Sequence, residues 1–222
     1  MMIIICGAGS KLAKHSIEYL SKSHELITIS RFEKYSGNKI TNFNVKNYSE
    51  LPDILKTLKA KDYVWINFVA HSSNDLLVNT TNENLDIDQD LNFNINFQAS
   101  KILIPSMIQH KFGRFIFISS SRALDGDIGI FSYKLGKKAN LTLQEQIVME
   151  YSRFGITANT LSLGFYDTKL WQSLGEKLKS KLLKRVPTQK LSDPSCIAPV
   201  IELIINYPTI NNNIFKLDDG FR

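Results

Sequence analysis

Short apolar runs alternate with amphipathic stretches from one end of the chain to the other, and no other feature narrows its fold as much. Candidate strands are Met2–Cys6, Leu26–Ser30, Lys39–Val45, Tyr63–Val69, Arg114–Ser119, Thr157–Leu163 and Asn213–Leu217. Helical patterns fall near Leu12–Ser21, Glu50–Leu58, Leu91–Gln109, Tyr133–Phe154 and Asp193–Asn206. Strand-length runs separated by helical stretches are the pattern of a mainly parallel, seven-stranded sheet covered by helices on both faces. Right-handed crossovers then bring the loops after the first, fourth, fifth and sixth strands to one carboxyl edge, where ligands bind in open α/β sheets. The 222 residues suit one domain spanning 1–222, with no Gly/Ser- or Pro-rich linker and no internal repeat. The connection 164–190 is long and partly helical, and such connections often cover a substrate.

The first strand opens directly into Gly7-Ala8-Gly9-Ser10-Lys11-Leu12-Ala13. Glycines in that turn let the backbone pass close to a pyrophosphate, and the following helix offers its free amides to the anion. The alternative is a plain tight turn. The second strand ends in Ser30-Arg31, where the adenosine ribose of a dinucleotide would lie. An acidic residue there binds the ribose hydroxyls and repels a 2′-phosphate; an arginine does the reverse. With Lys11 and Ser30 nearby, Arg31 favours NADP(H) over NAD(H).

The apolar run Phe115–Ile118 ends in Ser119-Ser120; Tyr133 follows Ser120 by thirteen residues and Lys137 follows by four more. On a helix that last gap puts the phenol and the ammonium on one face. A phenol titrates near 10, so an adjacent ammonium would favour its ionised form. Ser120 could then hydrogen-bond the substrate oxygen, and the three together suit proton transfer at a carbonyl or alcohol oxygen. The spacing alone is weak evidence, because a chain this rich in Tyr and Lys contains about one Tyr-x-x-x-Lys by chance, and Tyr35 and Lys39 form a second one in a turn-like segment. The context of strand, serines and long helix distinguishes the later pair; otherwise Tyr133 and Lys137 would be an ordinary exposed tyrosine and a solvated lysine.

In that order these elements resemble the short-chain dehydrogenase/reductase family in its compact form, over essentially the whole chain. The resemblance implies a Rossmann-like doubly wound fold, with Ser120, Tyr133 and Lys137 as catalytic serine, tyrosine and lysine. Asn96 matches the helix asparagine whose backbone helps hold a water that links the lysine to solvent. Asn67-Phe68-Val69-Ala70 takes the place of an Asn-Asn-Ala-Gly segment, Asn44-Val45 that of an Asp-Val beside the adenine, and Leu163-Gly164 that of Pro-Gly. Thr168 stands four residues after Gly164, where it would bind the nicotinamide amide, and Leu217-Asp218-Asp219-Gly220 resembles a closing Val-Asp-Gly-Gly. The cofactor-binding set implied is Gly7, Gly9, Ser10, Lys11, Leu12, Ser30, Arg31, Asn44, Val45, Asn67, Val69, Ala70, Tyr133, Lys137, Gly164 and Thr168. The largest departure is in the phosphate turn, where Lys11 and Ala13 replace glycines.

The expected reaction is hydride transfer to a carbonyl carbon while Tyr133 protonates the oxygen, or the reverse on an alcohol. His71, Arg122, Phe165, Tyr166 and Trp171 flank the predicted edge loops as pocket candidates, with Asp125 and Asp127 beside them. Lys169, Lys177, Lys179, Lys181, Lys184 and Arg185 form a basic run within a chain of net charge +6, either a solvated helix face or a surface for an anionic substrate such as a sugar phosphate, a nucleotide-sugar or a carrier-bound acyl chain. No aromatic-interleaved basic module suggests nucleic acid, and the opening apolar run is too short for a membrane span or signal core. Cys6 and Cys196 lack metal or disulfide spacing, which suits a cytoplasmic setting and no metal. Homodimers or homotetramers are common in the family through the helices at Leu91–Gln109 and Tyr133–Phe154. The alternative reading is a catalytically silent NADP(H)-binding regulator. A longer sugar epimerase or dehydratase is disfavoured because no further domain follows residue 222.

Overall fold

A computed structural model of the chain describes residues 1–32, 34–59 and 61–222. Seven strands, β1 (Met2–Cys6), β2 (Glu25–Ser30), β3 (Ile40–Asn44), β4 (Tyr63–Asn67), β5 (Gly113–Ser120), β6 (Ile156–Leu163) and β7 (Ile214–Leu217), form one sheet in the order β3-β2-β1-β4-β5-β6-β7. Every pairing is parallel. The order reverses between β1 and β4, so a crevice opens at the carboxyl ends of those two strands.

The period-two alternation of β1 assigns its side chains to opposite layers. Ile4 and Cys6 join the core beneath α2 (Leu51–Thr57), α4 (Ile95–His110) and α6 (Phe131–Tyr151), with Leu55, Leu103 and Ile147. Ile3 and Ile5 join the core beneath α1 (Lys11–Leu20) and α9 (Ile197–Asn206), with Ile17, Ile201 and Ile204. Both layers are closed by helices, as continuous apolar strands require. Among the described residues the remaining α-helices are α3 (Asn82–Gln89), α5 (Ser121–Asp125), α7 (Lys169–Gln172) and α8 (Glu176–Leu183).

The helix expected to begin at Leu91 is preceded by α3 and by a π-helical turn over Asp90–Asn94. The only buried residue of α3 is Asp88, a carboxylate, so no apolar stripe announces that helix in the sequence. Where the π turn widens the backbone, Asn140 of α6 donates to the carbonyls of Asn92 (2.7 Å) and Gly136 (3.0 Å). Asn140 Oδ1 accepts from Asn96 Nδ2 (2.8 Å), and Asn96 Oδ1 accepts from Trp65 Nε1 (3.0 Å) in β4. Gly136 permits this crossing, since a Cβ there would lie 2.9 Å from the Cβ of Asn92. The ladder fixes α6 against the π turn and the sheet. Asn140→Ala leaves buried carbonyls and an amide unpaired and is expected to destabilise the fold by about 2–4 kcal/mol; urea unfolding with an unchanged midpoint would show the ladder to be dispensable.

Candidate active site

Three consecutive serines end β5 and begin α5, and their surroundings separate them. Ser121 donates to Asp218 (2.5 Å) and pairs with Ser162 (3.1 Å), which ties α5 to the end of β7. The buried Ser119 hydroxyl has no partner among the described residues. Ser120 faces Leu163 across the β5–β6 register, and its side chain lies near enough to the Tyr133 phenol to favour ionisation of the hydroxyl. Ala123, Ile130 and Tyr133 form a small apolar cluster, so the loop after β5 packs against the base of the tyrosine.

Tyr133 and Lys137 are both buried, one turn apart on α6. The ammonium donates to the carbonyl of Ile118 in β5 (3.0 Å) and, more weakly, to that of Val69 after β4 (3.5 Å). It stands 5.8 Å from the centroid of the Tyr133 ring. The electrostatic balance differs from the one the spacing suggests. Burial raises the phenol above its ordinary value; the Ser120 hydroxyl and the Arg122 guanidinium oppose this, and the Asp88 carboxylate adds to it. Lys137 is itself pushed down to about 8 by burial. The competing pair is excluded by position: the Tyr35 hydroxyl donates to the carbonyl of Ala8 (2.5 Å) and Lys39 donates to that of Lys22 (3.0 Å).

Asn96 has no hydrogen bond to Lys137; its side chain is engaged by Trp65 and Asn140 and its carbonyl accepts from Ser100 (2.8 Å). Its neighbour one turn earlier, Asn92, reaches the loop after β4 instead. Asn92 Nδ2 donates to the carbonyl of His71 (2.8 Å) and Oδ1 accepts from His71 N (3.2 Å). Both asparagines lie in an asparagine-rich stretch, and only the π turn distinguishes them.

Among the pocket candidates, Phe165, Tyr166 and Trp171 are buried in packing. Phe165 meets Trp171 (5.1 Å) and Phe221 (5.2 Å) in a core under α7 and α8, and the Tyr166 hydroxyl donates to the carbonyl of Leu217 (3.0 Å). Thr168 caps α7 by accepting from Trp171 N (3.2 Å). Arg122 is held by Asp127 (2.7 Å), which Arg185 also approaches (3.7 Å). Of the basic run, Lys169, Lys177, Lys181 and Lys184 are exposed.

The residues at the carboxyl edge fit a dinucleotide. Gly7 has φ +74° and a Cβ on it would lie 2.6 Å from Val69 N, so the β1 turn presses against the loop after β4. Among the described residues the amides of Lys11 and Leu12 are left open at the start of α1, while Ser10 caps Ala13 N (3.0 Å). The amide nitrogen of buried Asn67, at the end of β4, has no partner among the described residues. Val45 N donates to the carbonyl of Ser30 (3.0 Å), which brings the Asn44-Val45 turn against the end of β2. Arg31 is exposed beside Phe32 (5.5 Å to the ring centroid). Lys11 departs from expectation: its ammonium is paired with Asp167 of the loop after β6.

The short chain dehydrogenase family model matches residues 33–179. The chain belongs to that family. It is an oxidoreductase acting on CH–OH or C=O groups, and the family implies a nicotinamide cofactor. It is 26% identical, over 91% of its length and 89% of the relative's, to the 3-oxoacyl-[acyl-carrier-protein] reductase FabG of Buchnera aphidicola subsp. Baizongia pistaciae. The FabG of Rickettsia conorii is 25% identical over 87% of this chain and 80% of the relative. A crystal structure of a short chain dehydrogenase/reductase family oxidoreductase from Burkholderia thailandensis superposes with a TM-score of 0.86 at 17% identity, covering 99% of this chain and 91% of the other. No helix among the described residues is long and apolar enough to cross a membrane.

Lys137 supplies a pH test of this environment. The folded chain binds its proton less tightly than the unfolded chain, whose lysine titrates near 10.5. The cost of the buried ammonium is therefore full below about pH 8 and fades as pH rises toward 10.5. Relative to wild type, Lys137→Met is expected to lose about 3 kcal/mol of stability between pH 7 and pH 10, whatever the net sign at pH 7. A pH-independent difference in urea unfolding would contradict a desolvated ammonium.

Proposed function

We propose that the protein is an NADP(H)-dependent reductase of a polar or anionic carbonyl substrate, with a carrier-bound 3-oxoacyl group as the favoured class. The observation that carries this reading is the convergence of Ser120, Tyr133 and Lys137 at the crevice edge, with the phenol and the ammonium both buried. A nicotinamide bound at that edge supplies the hydride in reduction, or accepts it in the reverse direction. Tyr133 gives its proton to the substrate oxygen, Ser120 donates a hydrogen bond to the same oxygen, and Lys137 holds the β5 and β4 loop carbonyls that set the geometry. The phosphate-turn residues Gly7, Gly9, Ser10, Lys11 and Leu12 would hold the pyrophosphate, with Asn44, Val45, Asn67, Val69, Ala70, Gly164 and Thr168 around the adenine and nicotinamide ends. Arg31 and Ser30 would receive the 2′-phosphate. The FabG relatives, whose names specify a 3-oxoacyl-[acyl-carrier-protein], support this substrate class.

Tyr133→Phe is expected to lower kcat by about 10³ or more with NADPH affinity unchanged. Retained turnover in a 3-oxoacyl thioester assay would remove the proposed donor. Arg31→Glu should shift the NADPH-to-NADH preference by about tenfold or more toward NADH, read as the ratio of the two kcat/KM values. An unaltered ratio places the 2′-phosphate contact elsewhere.

One observation favours a second reading, a silent NADP(H)-binding regulator: Lys11 replaces a turn glycine and is paired across the crevice with Asp167. Dinucleotide binding without consumption of NADPH on any 3-oxoacyl or simple carbonyl substrate would select it.

A further inference from the structure

The loop after β4 carries a polar cluster that the proposed reaction does not use. Asp88 of α3 is fully buried, and its Oδ1 accepts from His71 Nδ1 at 2.6 Å. Its Oδ2 accepts from the hydroxyl of Ser132, the residue before Tyr133, and from Ser73 N (3.3 Å). The Ser73 hydroxyl is buried and has no partner among the described residues. Burying a carboxylate is costly unless its oxygens are engaged, and here the engaged partners all belong to the loop after β4 or to the first turn of α6. Because Asp88 is an acceptor, His71 Nδ1 carries the hydrogen, which leaves Nε2 as the ring nitrogen open to a ligand. The imidazole is partly exposed, at 43% of its side chain, while its backbone N–H and carbonyl are clamped by Asn92. A carboxylate thus fixes an imidazole from behind, on the loop that also supplies the Val69 carbonyl to Lys137, with one shared anchor next to Tyr133. Arg122 approaches the same tyrosine from the loop after β5, already engaged by Asp127.

We infer that His71, locked by buried Asp88, accepts through Nε2 a hydrogen bond from an N–H or O–H group that the substrate carries beyond the carbonyl that Tyr133 serves. The inference rests on the carbonyl-reductase reading and adds the specificity group: the substrate carries a hydrogen-bond donor besides its carbonyl, as the amide N–H of a pantetheine-type thioester arm does, and Asp88 is the positioning residue. Removing one hydrogen bond that only the doubly functionalised substrate makes costs that substrate alone.

The full chain is assayed for NADPH oxidation with a 3-oxoacyl N-acetylcysteamine thioester and with an unfunctionalised ketone of equal chain length. His71→Ala is expected to raise KM for the thioester by about tenfold or more while the ketone's KM changes by about twofold or less. His71→Gln, whose amide can both donate and accept, should restore part of the loss. Asp88→Asn should produce the same substrate-selective split in weaker form. Equal losses on both substrates, or none, would overturn the assignment of His71; a lowered melting temperature in Asp88→Asn with an unchanged split would reduce Asp88 to a structural role. If wild type oxidises no NADPH with either compound, the reductase reading fails by itself. The His71 site is then read directly from its ring ¹⁵N resonances during titration with the thioester: a perturbed Nε2 signal supports it, an unmoved one overturns it.

Discussion

A lysine ammonium buried to 2% exposure is the constraint around which the rest of the crevice is arranged. Lys137 reaches from α6 to one carbonyl of β5 and one in the loop after β4. A charge so far from water persists only where the backbone supplies oxygen to it, so the ammonium pins α6 at one height above two central strands. That height decides where Tyr133 stands, one turn back along α6, and therefore which residue at the end of β5 can meet its hydroxyl. The asparagine ladder reinforces the same register from the far side, with Asn140 bridging α6, the π turn and, through Asn96, Trp65 of β4.

The sheet was legible because its central strands are apolar on both faces, and all seven strands appear within two residues of where the sequence pattern places them. The placement of Ser120, Tyr133 and Lys137 was legible because two of them share a helix face and the third ends a strand, which are local geometric facts. What escaped the sequence depends on contacts between distant segments. Helix α3 has no apolar stripe, since its one inward side chain is Asp88, whose partners lie in the loop after β4 and on α6. Asn92 and Asn96 are indistinguishable by composition, and the π turn that separates their roles leaves no pattern of its own. Phe165 and Trp171 read as pocket aromatics because they sit in an edge loop, yet they pack on Phe221 and Leu182 beneath α7 and α8. Lys11 read as a phosphate ligand, and its ion pair with Asp167, 156 residues away, has no local signature.

Burial acts on the two central ionisable groups in opposite chemical directions and to the same electrical end. It holds the Tyr133 phenol in its neutral, protonated form and weakens the hold of Lys137 on its extra proton. Lys137, pushed down only to about 8, still carries its charge at neutral pH, and the Arg122 guanidinium lies near enough to Tyr133 to favour a phenolate. A neutral phenol is poised to give a proton, the step required of it in carbonyl reduction, whereas alcohol oxidation begins by asking it to accept one. The free chain thus holds Tyr133 in the protonated form that reduction consumes.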